Sequence, residues 1–543
     1  MRSGRLPSVM SHTFSRAPQA KIQRSVFNRS HGHKTTFDSY MLVPVYLDEV
    51  LPGDTFNLKM TAFARLATPI FPFMDNMYMD SFFFFVPMRL LWSNWEKFNG
   101  AQDNPGDSTD YVIPTMTVPT GAVKGDGASL PAFLGLPVDC AGLKVSALPF
   151  RAYNLVWNEY FRDQNIQTSV PRVTGDSGDI WNNYVIRYRN KRYDYFTSCL
   201  PWPQKGPSAP LPLGQNAPLV SVRGGAPIFE LKSSSVGAGG ATLTAAGPGV
   251  ADITTHWKVS KLDTGNFTAV WEDPKLEVDL SKATSATINQ LRQAFQIQKL
   301  LERDARGGTR YFEILQSHFH IYPSPDARLQ RPEYLGGGTS PVHINPVAQT
   351  SSTDTTSPQG NLSAFGTVSL RNHGFTKSFV EHGYIIGIVS VRTDLNYQDG
   401  LNRLWSRSTR YDFYWPALSH IGEQAVLNKE ICAHTSEKDK WDQVFGYQER
   451  YAEYRYKPSL ITGSFNSSRT KYKMDQWHLS QQFKTTPSLN NAFISGYGLV
   501  NVVDRVLAVT SALGPHFLFD SWFSLHCARP LPVYSVPGLV DHF

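Results

Sequence analysis

Few residues in this 543-residue chain stand in patterns that could do covalent or metal chemistry. Ser468-Arg-Thr-Lys471 has the Ser-x-x-Lys spacing in which a lysine can activate a serine nucleophile. Two fixed positions in four arise readily by chance, however, and no supporting second motif follows. His31 with His33, and His318 with His320, have the i, i+2 spacing that puts two imidazoles on one face of a strand, where they could hold a metal. Neither pair has carboxylates or cysteines nearby in a ligand pattern, so structural or surface histidines are expected. Gly336-Gly-Gly338 follows Pro332-Glu-Tyr rather than a strand and carries no Lys-Ser/Thr, so it reads as a flexible turn, not a phosphate loop. Cys140, Cys199, Cys432 and Cys527 lie far apart without CxxC spacing, which predicts free thiols rather than a zinc site or a disulfide framework. No Walker loop, HExxH, nucleophile elbow or helix-opening GxGxxG occurs. The chain is expected to be structural, not an enzyme, with no cofactor and no metal.

Two stretches could instead meet a polyanion. Residues 1–37 hold Arg2, Arg5, Arg16, Lys21, Arg24, Arg29 and Lys34 and no acid. Removing these seven from the 52 Lys and Arg leaves 45, equal to the 45 Asp and Glu, so the net +7 resides wholly in this segment. It is polar, lacks a sustained apolar period and is predicted to be a flexible arm that neutralises phosphates. A mitochondrial transit peptide or a merely solvated tail has the same composition. The second stretch, residues 447–477, interleaves Arg455, Lys457, Arg469, Lys471 and Lys473 with Tyr451, Tyr454, Tyr456, Tyr472 and Trp477. Aromatics that stack on bases, with cations that follow phosphates, suit single-stranded nucleic acid. Glu449, Glu453 and Asp475 dilute that charge, so an ordinary surface or interface region is the competing reading.

The elements that must carry these residues are mostly strands. Residues 55–63 alternate, with Phe56, Leu58 and Met60 on one side and Asn57, Lys59 and Thr61 on the other, as a half-buried strand does. Residues 77–86 contain four consecutive phenylalanines, Phe82 to Phe85, which implies burial on both faces. Further strands are expected over 384–391, 499–509 and 517–527. Helices are predicted over 146–161, with Phe150, Tyr153 and Trp157 on one side, and over 287–303, with Leu291, Ala294, Phe295 and Leu301 in a stripe. Residues 207–284, rich in Gly, Ala, Ser, Thr and Pro, read as a projecting insertion in a loop, with strand content near 254–257 and 267–271. No run approaches the roughly 18 apolar residues of a membrane span. Charged residues make up only 18% and aromatics 13%, against a usual charged share of about 25%. A surface covered by neighbours produces that composition, as would a large monomeric core.

The residues also resemble a known family. Phe27-Asn-Arg-Ser-His-Gly-His-Lys-Thr-Thr-Phe37 and Leu47-Asp-Glu-Val-Leu-Pro-Gly-Asp-Thr-Phe56 are similar to the start of gokushovirus (Microviridae) major capsid proteins. So are the strings at residues 291–311, residues 326–338, His382-Gly-Tyr-Ile-Ile-Gly387 and Cys527-Ala-Arg-Pro-Leu-Pro532, while the insertion shares little beyond position and composition. The resemblance implies a mainly β fold: a single eight-stranded antiparallel jelly roll with large loop insertions and a few helices. The division it suggests is a basic arm (1–37), the first part of the roll (38–206), a three-fold protrusion (207–284) and the second part (285–543). It further implies sixty copies in a T=1 virion shell, assembled in the bacterial cytoplasm around circular single-stranded DNA. Other implied partners are a small basic DNA-packaging protein, an internal scaffolding protein, a DNA pilot protein and a host receptor met by the insertion. Sixty arms of seven charges give ~420 positive charges against several thousand phosphates of one charge each, so the arms alone cannot neutralise such a genome. A jelly-roll carbohydrate-binding protein or hydrolase is the alternative, since that fold also hosts lectins.

Overall fold

The computed structural model describes residues 23–123, 128–207, 209, 219–221, 229–233, 241–245, 257–259, 267–271, 276–278, 288–307, 317, 329–352, 358–469 and 471–534. Met1–Pro203 and Gly307–Phe543 make one unit, and Gln204–Arg306 makes a second.

The first unit begins with β1 (Ser25–Asn28), β2 (His31–Phe37), β3 (Val43–Val50), β4 (Thr55–Leu66) and β5 (Met77–Pro87). A short pair follows, β6 (Thr115–Thr117) with β7 (Lys144–Ser146). In the second unit, β8 (Leu219–Ser221) pairs with β13 (Leu276–Val278). There β9 (Phe229–Ser233), β10 (Ala241–Ala245), β11 (Trp257–Val259) and β12 (Phe267–Trp271) form an antiparallel sheet in the order β11-β10-β9-β12. The helix after them runs over Ile288–Gly307. The first unit resumes with β14 (Glu333–Pro341), β15 (His343–Ala348), β16 (Leu362–Ser378) and β17 (Gly383–Thr393). It continues through the hairpin β18 (Glu423–Leu427) and β19 (Val444–Glu449) to β20 (Phe517–Arg529).

Two antiparallel sheets enclose the main core. One has the order β1-β20-β4-β16-β15, with β2 also on β20; the other, rich in phenylalanine, has the order β14-β5-β17-β3. On β4 every second residue from Phe56 to Leu66 is buried, because the strand period of two sends Phe56, Leu58, Met60, Ala62 and Ala64 inward together. Phe519, Phe523 and Leu525 of β20 and Ile385, Val389 and Val391 of β17 join them in one cluster. Each fully buried side chain of this size contributes about 1.5–3 kcal/mol.

The phenylalanine run is buried on both faces, as expected. Phe83 and Phe85 enter the sandwich core, while Phe84 and Val86 pack on the opposite side with Ile386 and Ile388. The helix α1 (Leu148–Val156) covers that side with Phe150 and Tyr153, and a π-turn, Trp157–Phe161, extends it. Pro149 near its start, where a missing N–H costs nothing, and apolar residues at helical spacing explain why this segment is helical. Tyr153 anchors the layer: its hydroxyl donates to Leu42 O at 2.8 Å and accepts from Arg187 N at 2.9 Å.

Three sequence expectations change here. Residues 25–37 are not part of a flexible arm: β1 and β2 pair with β20 in register, Phe27 with Cys527 and Phe37 with Phe517. Their partner lies near the other end of the chain, out of reach of a local reading. Gly336-Gly-Gly338 is no turn but the middle of β14. A Cβ would stand 2.5 Å from Gly374 O at Gly336, 2.0 Å from Ser81 O at Gly337 and 2.7 Å from His373 Nε2 at Gly338. Glycine is needed there because β14 is pressed close against its neighbours. Residues 499–504 are helical rather than a strand, with turns over Gly496–Leu499 and Val500–Asp504, and residues 505–509 form a turn and bend in which Leu507 bridges to Pro69. Leu499, Val503, Val506 and Leu507 are buried at spacings of three and four, the helical period.

Candidate nucleic-acid interface and subunit contacts

Of the seven basic residues at the N-terminus, Arg2, Arg5, Arg16 and Lys21 lie outside the described residues. Arg24 donates to Thr55 Oγ1 at 2.9 Å. Arg29 grips both carboxylate oxygens of Asp48, at 2.5 and 3.0 Å, in the bidentate geometry that a guanidinium favours. Lys34 stands 3.8 Å from Asp520, with the two side chains 81% and 59% exposed, an arrangement of little energetic weight that leaves Lys34 open to solvent ligands. Arg24 and Arg29 therefore clasp the start of the chain to its body, and only Lys34 of the three faces outward freely.

The stretch 447–477 does not act as one surface. Tyr451 is buried in the unusual left-handed backbone region (φ 64°), and Arg455 is ion-paired with Glu449. Trp477 stacks on Phe71 with ring centroids 5.1 Å apart, so that face of its indole is already occupied. Lys457, Arg469, Lys471 and Lys473 are exposed, as is Tyr472. Ser468 Oγ donates to Asp399 and accepts from Gln482 at 3.3 and 3.0 Å, contacts of an ordinary polar surface.

His31 stacks on Phe523 at 5.2 Å, and His33 is held neutral by burial, its pKa pushed down. The pair thus serves packing in β2. His318 and His320 lie outside the described residues. Among the described residues no group of three His, Cys, Asp or Glu is placed to hold a metal. Cys199, Cys432 and Cys527 are buried free thiols, and Cys140 is partly exposed.

The sequence reading missed a knot of arginines and rings around residues 403–456. Arg407 lies over Tyr454 at 4.5 Å and Phe413 at 5.3 Å, and Arg410 lies over Trp415 at 4.6 Å. Trp405 is 74% exposed, and Tyr411, Phe413 and Tyr414 are each more than half exposed. The loop carrying them is rigid by construction. Asp412 accepts bonds from Ser408 N, Thr409 N and Thr409 Oγ1, which hold its carboxyl down at about 2. The Tyr451 hydroxyl donates to Phe413 O at 3.0 Å and accepts from Trp415 N at 3.3 Å. Exposed Trp, Tyr and Arg on a preformed loop are the composition of interface hot spots. The spacing Trp405-x-Arg407-x-x-Arg410 with Tyr411 and Tyr414 was visible in the sequence, but the pairing with Tyr454 was not.

The chain matches the model of the phage capsid protein (F protein) family over residues 15–539. It belongs to that family. Capsid protein VP1 of Bdellovibrio phage phiMH2K is 48% identical over 540 residues, covering 98% of each chain. Capsid protein VP1 of Chlamydia phage 1 is 44% identical over 602 residues, covering 99% of this chain and all of the relative. Capsid protein VP1 of Spiroplasma virus 4 is 33% identical over 551 residues, covering 97% of each. The resemblance to gokushovirus major capsid proteins is borne out, and the chain is a structural protein of the phage virion.

Proposed function

We infer that sixty copies of this capsid protein close a T=1 icosahedral shell around a circular single-stranded DNA genome. The observation that carries the reading is the ring-and-arginine surface around Trp405, a prebuilt contact on a family member whose body is formally neutral. Many such contacts, each modest, become strong together when a symmetric shell closes. The two facing sheets contain β3, β5, β14 and β17 on one side and β4, β15, β16 and β20 on the other, which supports an eight-stranded jelly roll edged by β1 and β2. Residues 207–284 would form the projecting insertion and meet the host receptor. The basic segment ahead of β1 would face the genome. A scaffolding protein, a pilot protein and a small basic packaging protein would complete the particle.

Size-exclusion chromatography with light scattering, on full-length chain co-expressed with the other products of its genome, tests this. Sixty copies of 60.9 kDa give particles of about 3.7 MDa. A chain that stays monomeric at every concentration refutes it.

A further inference from the structure

The outward face of the six-stranded sheet is chemically unlike the rest of the sandwich. Its outward positions carry four Lys or Arg and one acid, Asp520, while Lys377 and Arg529 of the same strands turn instead to Glu333 and Asp54. The Phe-rich sheet holds four acids and one arginine. Residues that alternate with the core positions of these strands must point outward. They include exposed Lys34, Lys59, Arg65 and Arg371. Among them stand three aromatic rings at solvent: Phe63 is 47% exposed, Phe365 49% and Trp522 55%. Large apolar side chains on an outer sheet face, where polar ones are the rule, mark a binding surface.

The register orders the rings. Trp522 pairs with Thr61, two residues before Phe63 on β4, while Phe365 lies on β16 one residue beyond Gly366, the partner of Leu66. With strands about 4.8 Å apart and a rise of about 3.4 Å per residue, Trp522 and Phe63 are ~8 Å apart and Phe63 and Phe365 ~14 Å. The three form one oblique track across β20, β4 and β16. Arg65 falls between Phe63 and Phe365, and Lys59 flanks Trp522. Beside the track opens a cleft of about 610 Å³, lined by Lys34, Phe63, Arg65, Leu518 and Asp520 among others, within the range of small-ligand sites.

We propose that this face is a stacking platform for single-stranded DNA, on which Trp522, Phe63 and Phe365 receive bases while Lys34, Lys59, Arg65 and Arg371 hold phosphates. Every base offers a flat π face, so rings spaced along a basic track bind single strands without regard to sequence. A second copy of the chain would need acids opposite these cations, whereas a polyanion matches them directly. β1, which follows the basic residues 1–22 in sequence, pairs with the end of β20 in this sheet. The inference deepens the proposed function, resting on its reading of a shell filled with single-stranded DNA.

Fluorescence anisotropy tests it on purified full-length chain, with labelled oligothymidylate and an abasic oligonucleotide of equal length as probes. The variant Phe63→Ala/Phe365→Ala/Trp522→Ala is expected to weaken oligothymidylate binding by about fivefold or more per ring, leaving the abasic probe unaffected. The variant Lys59→Ser/Arg65→Ser/Arg371→Ser should weaken both probes and lower the salt slope by about 2. Because these side chains are exposed, urea midpoints should match the parent's, which excludes misfolding. The proposal is overturned if the ring variant binds oligothymidylate as the parent does, or if the parent binds neither probe. It is equally overturned if the ring variant loses self-association but keeps its DNA affinity, since the face is then a subunit contact. Closed particles that carry parental amounts of DNA despite the ring variant would sink this inference alone. Absence of any closed particle from the parent chain would sink the proposed function instead.

Discussion

Replacing Lys191 with Met should make the protein more stable at neutral pH, by an amount that shrinks as the pH rises. Lys191 is 6% exposed, and its ammonium lies 4.0 Å from the centre of the Phe493 ring, with Tyr397 and Phe483 also against it. Its ammonium donates to Gln481 Oε1 at 2.8 Å. Burial lowers its pKa from the ordinary 10.5 to about 7, and Asp194 opposes the shift only weakly. In the unfolded chain the lysine stays charged up to pH 10.5, so between pH 7 and 10.5 the unfolded state binds the extra proton. Stability therefore rises with pH across that window, by about 1.4 kcal/mol per unit, and is flat below it. The lysine then costs on the order of 4–5 kcal/mol at and below neutrality. Met fills similar space without a charge, while leaving Gln481 Oε1 unpaired costs about 1–3 kcal/mol at every pH. The difference in slope is thus cleaner than the absolute difference. Burial pushes the Tyr397 pKa well above its ordinary value, and because that contribution is common to parent and variant it cancels in the comparison. Urea unfolding of the unassembled chain at pH 7 and pH 9 reads the effect: the gap between variant and parent should narrow by about 2–3 kcal/mol. A gap constant with pH would show that the ring faces keep Lys191 charged, and would refute the reasoning.

Three other perturbations have defined outcomes. Arg151→Leu leaves Asp179 with the Tyr184 hydroxyl but without its cation, since the two side chains are only 2% and 3% exposed and Arg151 also binds Leu91 O and Gly175 O at 2.9 Å each. A loss of about 3–5 kcal/mol in urea unfolding is expected, with part of it regained in Arg151→Leu/Asp179→Leu. Gly337→Ala drives a methyl into Ser81 O and should part β14 from β5. Hydrogen exchange across residues 333–341 should accelerate, and unchanged protection would count against the close approach. Trp405→Ala removes a ring that touches mainly solvent, so its unfolding midpoint should stay within about 0.5 kcal/mol of the parent. The concentration needed for assembly, followed by light scattering, should rise by tenfold or more if the ring is a hot spot.

Local periodicity made much of the sandwich legible. The alternation on β4 placed Phe56, Leu58 and Met60 inward, and the unbroken run from Phe82 to Phe85 announced a strand covered on both sides. Leu499 to Val509 misled because apolar residues spaced by three and four can also be read as a broken apolar run. Gly336 to Gly338 misled because the need for glycine arises from Ser81, Gly374 and His373, all distant in sequence. The same holds for function: the basic count exposed the charged N-terminus, but the track of Trp522, Phe63 and Phe365 exists only after β20, β4 and β16 align. Family identity was legible in strings such as Phe27–Phe37 and Leu47–Phe56, which fall on β1 to β4.

The pairing of β4 with β20 has a consequence for how the chain is made. β4 ends at Leu66, and its partner begins at Phe517. At roughly 5–20 residues per second, the ribosome needs on the order of half a minute to a minute and a half to cross that interval. Through all of it the edge of β4 that β20 will cover lacks its native partner, an invitation to wrong strand pairing. Final closure of the six-stranded sheet therefore waits for the last tenth of the sequence. A nascent or truncated chain cannot present the finished sheet, so completion of synthesis acts as a timer that keeps incomplete subunits out of the assembly pool.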